Sequence, residues 1–419
     1  MSKILSDSAA WLGTLPSTWS TIQIGSIYDE RNEKVSDLDY PPLSVTMNGV
    51  VPQLDSAAKS ADHGNRKLMR KGDFAINSRS DRRGAFGIAP QDGSCSLINI
   101  VLCPRNSEDA RYYNYVFQTP LFPEEFYRWG NGIVADLWST RWERMRKISF
   151  PMPTAEERTR IADYLDIECE KIDSVISAEY ELIRSVEEYK QRIINETTTR
   201  GIAKNIPTKP SGYDWIGDIP SHWQMVYSKR LFSLRKERAY PDDEQLTSSQ
   251  KYGIISQNDF MEKEGRQIVQ VVTGEDILKH VEAGDFVISM RSFQGGLEYS
   301  NMSGKISSAY VMLIPNTQEI VPDYYKWLFK SKRYIRALQS TSNLVRDGQA
   351  LRFSNFAQVY LPVFPKDEQT AIANYLNDKC GSIDSIIERS ETLIAKLKQY
   401  KSELIYEYVT GKKEVPACQ

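Results

Sequence analysis

The sequence predicts an α/β protein with a pseudo-two-fold internal repeat, in which two globular parts alternate with two long helical parts. Three observations predict it. "WLGTLPSTW" at 11–19 returns as "WIGDIPSHW" at 215–223, an offset of 204. "KGDFAINSR" (71–79) returns as "AGDFVISMR" (283–291), an offset of 212. From Pro151 to Arg200 the offset stays at 211, and 19 of 50 positions are identical. Solenoid repeats have periods of roughly 20–50 residues, so what is duplicated here is a whole module.

Taken in order, residues 1–150 make the first globular part. "DFAINSR" and "SLINIVLCP" are short strand-like runs bounded by Gly, Pro and Ser, and "YYNYVFQ" has the pattern of a short amphipathic helix. "IVADLWSTRW" (133–142) aligns with "LVRDGQALRF" (344–353), pairing Asp136 with Asp347, Arg141 with Arg352 and Trp142 with Phe353. Residues 151–205 make the first helical part. Thr154 and Glu157 have capping-box spacing, and Pro365 stands at the equivalent of Thr154 in the second copy. Leu165, Ile172, Ile176, Ile183, Val186 and Ile193 recur at helical spacing, as do Leu376, Ile383, Ile387, Ile394, Leu397 and Leu404. Such stripes are made for helix–helix packing. Helices over 172–200 and 383–410 are expected, the first about 43 Å long at a rise of roughly 1.5 Å per residue. Gly201 and Gly411 are natural stops. A Pro/Gly-rich connector at 201–220 leads into the second globular part, 206–360. There "DFVISMR" and "SAYVMLIP" read as strands and "PDYYKWLFKSKRYIRALQS" as short amphipathic helices. Residues 361–419 make the second helical part.

Composition narrows the function. The chain has 419 residues, 41% hydrophobic and 11% aromatic, as ordinary globular proteins do. No apolar run approaches the roughly 20 residues of a membrane helix. The opening "MSKILSDSAA" lacks a signal peptide's apolar core. A cytoplasmic location is therefore expected. Cys95, Cys103, Cys169, Cys380 and Cys418 are scattered and read as reduced thiols, with Cys169 and Cys380 small buried residues at matching places. Three histidines without CxxC or HxxxH spacing argue against a structural metal site. Net charge is -2, which by itself argues neither for nor against nucleic acid. The charge is segregated, however. Residues 64–87 hold seven Lys/Arg and two Asp, 326–336 hold five Lys/Arg and no acid, and 141–147 hold four and one acid. Basic faces of this kind can meet phosphate.

Catalytic signatures are missing. The one Pro-Pro, in "DYPPLS", has Leu where the stacking aromatic of an adenine methyltransferase belongs. There is no GxGxxG or GxxxxGK[ST] loop. A Glu-x-Lys of nuclease type, "EYK" at 188–190, lies within the helical part with no acidic partner on a preceding strand.

The paired opening motifs, the GDF-x-I-x-x-R motif in each half, and "LPVFPKDEQTAIANYLN" followed by a long helix ending "YEYVTGK" resemble the specificity (S) subunit of type I restriction-modification systems. The resemblance covers essentially the full chain. It implies two target-recognition domains, 1–150 and 206–360, each reading one half of a split, asymmetric DNA sequence. It implies that the helical conserved regions, 151–205 and 361–419, pair as an antiparallel coiled coil, set the distance between the domains and hold two modification subunits. The chain would then be non-catalytic and carry no cofactor. S-adenosylmethionine, ATP and Mg²⁺ would belong to its partners: the methyltransferase (modification) subunits and, in the full complex, the translocase-nuclease (restriction) subunits. Double-stranded DNA is the other partner, and no membrane is expected. A stand-alone bipartite DNA-binding regulator and an unrecognised nuclease or methyltransferase are the rival readings. Splitting the site lets each domain read base pairs in the major groove, where all four are distinguishable.

No catalytic or metal-binding residue is assigned. Arg79, Arg82 and Arg83 follow a strand-like run, and Arg291, Ser292 and Gln294 hold the parallel place in the second half. Arg pairs with guanine and Gln with adenine. Arg141 and Arg352 either bind phosphate or brace the domain on its helix, and Arg346 joins them as a candidate contact. Lys330, Lys332 and Arg333 are expected at phosphates, which position without specifying. Arg128 and Asn131 flank Trp129 and are candidates for the DNA face, with the tryptophan itself in the core. Trp11, Trp19, Trp215 and Trp223 are assigned to packing.

Overall fold

The computed structural model describes residues 7–53, 63–79, 84–132, 138–203, 205–265, 277–290, 292–342 and 351–416. The chain forms two compact units: Met1–Glu179 with Glu391–Gln419, and Tyr180–Ser390.

The first unit centres on a four-stranded antiparallel sheet, in the order Tyr28–Glu30, Asn99–Pro104, Phe74–Asn77, Phe86–Ile88. Phe74–Asn77 is buried on both faces. The alternation of a strand sends Phe74 one way, where it stacks on Phe117 at 3.7 Å, and Ala75 the other, into a cluster with Leu43, Val45, Val50 and Val101. Phe117 lies on the helix Ser107–Phe117, whose first turn is capped by the Asn106 side chain. Its ring also meets Phe122 and Phe150 at 5.0 and 4.9 Å, and Trp11 meets Phe150 at 5.9 Å.

The second unit repeats the order with Phe232–Leu234, Val311–Pro315, Phe286–Ile288 and Glu298–Tyr299. The amphipathic stretch at 322–340 is two helices, Pro322–Lys330 and Lys332–Ser340. They break at Ser331, whose hydroxyl accepts the Tyr334 amide at 3.2 Å. Every described pair between named strands is antiparallel, so the α/β composition is realised without a parallel sheet.

The GDF motif has a structural meaning in both units. Gly72 and Gly284 sit at φ 90° and 104°, where a side chain would be strained. Asp73 and Asp285 are buried and accept two hydrogen bonds from Arg31 (2.6 and 3.2 Å) and Arg235 (2.5 and 3.0 Å). Each also accepts the backbone amide three residues before it, from Arg70 and Glu282. Phe74 and Phe286 then enter the core.

The helical parts are longer than expected. The helices are Ala155–Arg200 and Lys366–Val409, about 69 and 66 Å at roughly 1.5 Å per residue, and they begin 17 residues before 172 and 383. The reason is local for the first helix. Glu157 Oε2 accepts the Thr154 amide at 3.0 Å and Thr154 Oγ1 accepts the Glu157 amide at 3.2 Å, a capping box that starts the helix there. Ile161 and Cys169, both buried, join Leu165 in the apolar stripe, and Ile161 carries it back to the first turns. Gly201 and Gly411, at φ 76° and 68°, end the two helices.

The helices pair antiparallel. In the first unit Tyr164 meets Tyr408 and Asp173 meets Lys401 Nζ at 2.7 Å. In the second, Lys190 Nζ meets Asp384 at 2.5 Å, so Lys190 of "EYK" serves an ion pair. Asp173 and Lys190 are the repeat equivalents of Asp384 and Lys401, so one interaction occurs twice. The Tyr112 hydroxyl likewise donates to Val409 O and the Tyr324 hydroxyl to Thr198 O, each at 2.7 Å. Trp19 and Trp223 are buried, and their indoles donate to Glu157 and Glu368 at 3.4 and 3.2 Å. The repeated opening motif thus anchors each globular part on the first turn of a long helix. Arg158 and Gln369, which differ between the copies, do one job by different chemistry. Both donate to the carbonyl five residues earlier, Pro153 O and Phe364 O, at 2.8 Å. The second contact is ionic for Arg158, to Asp109, and is the Val321 amide for Gln369.

Candidate nucleic-acid interface

In the first unit, three predicted contacts meet at one edge. Arg79 follows the strand Phe74–Asn77, and its backbone bridges to Ser139. Asn131 bridges to the same Ser139 with bonds of 3.0 and 3.1 Å. Thr140 N donates to Ser78 O at 3.0 Å, and Arg141 follows at the start of the short helix Trp142–Met145. The side chains of Arg79, Asn131 and Arg141 are exposed. Trp138 supports this edge from within, its indole donating to Tyr127 O at 3.0 Å. Arg128 is held otherwise. It forms a two-bond ion pair with buried Glu125, both contacts at 2.8 Å, and Glu125 also accepts the Trp129 indole at 2.6 Å.

In the second unit, Arg352 occupies the same place as Arg141, exposed at the start of Phe353–Phe356. Gln294 is exposed on the turn of helix Ser292–Gly295. Lys332 is exposed at the start of its helix. Three expectations need correction. Ser292 is 1% exposed, and its hydroxyl accepts the Ser289 amide at 2.9 Å, so it closes a turn instead of facing a ligand. Lys330 is spent on an ion pair with buried Glu298 and a bond to Gly295 O at 3.2 Å. The Arg333 guanidinium donates to Ile216 O at 3.2 Å and its amide to Asn195 of the first long helix, which makes it a brace. Arg82, Arg83, Arg291 and Arg346 lie outside the described residues.

The second unit also holds a charge cluster around a histidine that the first unit does not repeat at the equivalent position. His280 is buried between Asp243 (Nδ1, 2.8 Å) and Glu282 (Nε2, 2.9 Å), with the Tyr240 ring 4.7 Å away. Leu68 is its repeat equivalent. Burial opposes charge on the imidazole, but the two carboxylates outweigh it and raise the pKa. A raised folded-state pKa stabilises below the unfolded value of about 6.5, and that stability is lost as pH rises through the folded value. Thermal unfolding from pH 6 to 9 is expected to show falling stability, with a shallower fall in His280→Gln. Equal pH profiles for the two proteins would remove His280 as the cause.

Two β-hairpins were not anticipated: Leu43–Thr46 with Gly49–Pro52, and Leu246–Ser249 with Gly253–Ser256. The available signal was apolar alternation around Gly49 and Gly253, both at positive φ. Among the described residues, no group of three or more His, Cys, Asp or Glu stands together that could hold a metal ion. Nor is any helix long and apolar enough to cross a membrane.

Residues 220–399 match the family model of the type I restriction modification DNA specificity domain. The chain carries that domain. The specificity domain so matched contains the GDF strand of the second unit, its charge cluster and most of the second long helix. Over the whole chain, a solved structure from a study of complex assembly and conformational transition of the type I R-M system aligns with a TM-score of 0.62. It is 14% identical, covering 94% of this chain and 98% of that one, a likeness of fold. The HsdS subunit from Thermoanaerobacter tengcongensis aligns at TM-score 0.42 and 16% identity, over 95% of this chain and 98% of that one. The type I S subunit from M. genitalium aligns at 0.40 and 11%, over 97% of each chain. Curated protein sequences give no match. The first unit repeats the sheet order of the matched domain, so the same core is built twice along the chain.

Proposed function

We propose that the chain is a non-catalytic recognition subunit that reads an asymmetric, bipartite DNA target, one half by each unit. The observation that carries this is the specificity domain at 220–399 together with its structural repeat, whose equivalent positions present different side chains. Arg79, Asn131 and Arg141 form the reading edge of the first unit, with Arg82 and Arg83 next in sequence. Arg291, Gln294, Lys332, Arg346 and Arg352 serve the second. The paired helices hold two methyltransferase subunits, and restriction subunits join in the full complex. S-adenosylmethionine, ATP and Mg²⁺ act in those partners, in the cytoplasm. The likeness to a chain from a type I R-M system supports this assembly.

Exchanging residues 206–360 for the corresponding part of another specificity subunit is expected to change one half of the methylated sequence and leave the other intact. Methylome sequencing of hosts expressing either protein reads the outcome. Simultaneous change of both halves would defeat independent reading. Cleavage or methyl transfer by the purified chain alone would defeat the non-catalytic assignment.

A further inference from the structure

In the first unit the strands Leu43–Thr46 and Gly49–Pro52 pair with Thr46 opposite Gly49, so Met47 and Asn48 alone form the turn. Thr46 Oγ1 locks it, donating to Gly49 O at 2.9 Å and accepting the Asn48 amide at 3.1 Å. Leu43, Val45 and Val50 anchor the hairpin in a buried cluster with Met69, Ala75 and Val101. Its tip contributes nothing to that core. Met47 is 75% exposed, and the exposed Asn48 side chain has no hydrogen-bond partner among the described residues. The hairpin backbone lies on Gly87, where a Cβ would stand 2.8 Å from Gly49 Cα and Val50 N. A Cβ added at Gly84 would stand 3.9 Å from Met47 Cε.

The second unit repeats the arrangement with other side chains. Ser249 stands opposite Gly253, leaving Gln250, Lys251 and Tyr252 in the turn, and Ser249 Oγ accepts the Lys251 and Tyr252 amides. Leu246 and Ile254 anchor it among Val281, Val287 and Met312. Gln250 rests on Gly295, whose added Cβ would meet Gln250 Nε2 at 2.3 Å, on the same turn that carries Gln294. Lys251 and Lys263 both stand over the Tyr252 ring, at 4.9 and 5.2 Å.

Each unit therefore sets a solvent-facing hairpin tip close to a described glycine that follows its GDF strand, Gly84 in the first and Gly295 in the second. The framework is shared, and the tip chemistry differs between the units. A two-stranded β-ribbon fits the roughly 12 Å major groove, where Asn and Gln pair with adenine, Lys with guanine, and an apolar side chain meets the thymine methyl. We propose that these hairpins read bases, through Asn48 in the first half-site and Lys251 in the second. This assignment rests on the DNA-recognition reading above.

The test selects bound sequences from a random duplex pool, using the full chain in the complex with which it co-purifies. Wild type is compared with Asn48→Ala, Asn48→Asp and Lys251→Ala, with thermal unfolding as the check on folding. Asn48→Ala is expected to lower preference about ten-fold at one base pair of one half-site, and Lys251→Ala to do so in the other, each bidentate contact discriminating by about that much. Asn48→Asp should weaken binding further through repulsion from phosphate. A wild-type motif retained unchanged by all three folded variants would overturn the hairpin assignment alone. No motif from wild type would overturn the DNA-recognition reading and the hairpin assignment with it.

Discussion

Asp285→Ala is expected to destabilise the protein by about 3–5 kcal/mol, the usual cost of removing one partner of a buried ion pair. The carboxylate is 1% exposed, and its loss strands Arg235, whose side chain is only 12% exposed, and frees the Glu282 amide. Glu237 gives Arg235 a remaining contact at 3.1 Å, but a half-exposed one. Asp73→Ala removes the equivalent pair and should cost less, because Arg31 at 25% exposure can turn to water. Chemical denaturation of the two variants measures the difference. Equal or negligible costs would mean that the GDF aspartate does not staple the turn. Since both turns lead into the candidate reading segments, each variant should also lower affinity for DNA.

Insertions into the long helices are expected to have the largest effect on function. Each helix contributes to both units: Ala155–Glu179 and Glu391–Val409 belong to the first, Tyr180–Arg200 and Lys366–Ser390 to the second. Four residues added after Glu179 alone would leave one set of cross-pairs out of register, either Asp173 with Lys401 or Lys190 with Asp384. The buried Ile and Leu stripe would slip with it, and specific DNA binding should be lost. Matched insertions after Glu179 and after Ser390 restore every pairing. They lengthen the path by about 6 Å, at roughly 1.5 Å per residue. At about 3.4 Å per base pair, the unread gap should grow by one or two base pairs with both half-sites unchanged. The end of the first helix is a poor place for the insertion, because Thr197, Thr198 and Thr199 are buried and Thr198 O accepts the Tyr324 hydroxyl. A methylome of the matched variant that kept the original gap would show that the helices do not set the spacing.

Much of this was legible in one dimension. The duplicated Trp19 and Trp223, the GDF turns and the Gly201 and Gly411 stops are local signals, and local chemistry is what sequence states directly. The apolar stripes from Leu165 to Ile193 and from Leu376 to Leu404 were read correctly for the same reason, since periodicity exposes a buried face without naming its partner. The helices start 17 residues before the expected 172 and 383, although the Thr154 capping box and the stripe residues Leu165 and Leu376 already lie ahead of those bounds.

The candidate site was legible only as a set of basic runs. Arg79, Arg141 and Lys330 look alike in sequence. Whether a cation is free depends on a carboxylate that folding brings to it. Glu298, 32 residues away, claims Lys330, and Asn195 and Ile216 claim Arg333. Ser292 looked like a polar loop residue until the turn it closes buried it. The sequence by itself determined the repeat, the helical stripes and the motifs at each junction, because these are set by spacing along the chain. Only the tertiary structure decided the antiparallel register of the helices, which charges remain exposed, and which hairpin tips stand beside the GDF segments. Those properties belong to pairs of groups far apart in the chain, and burial and ion pairing are energies of such pairs, not of single residues.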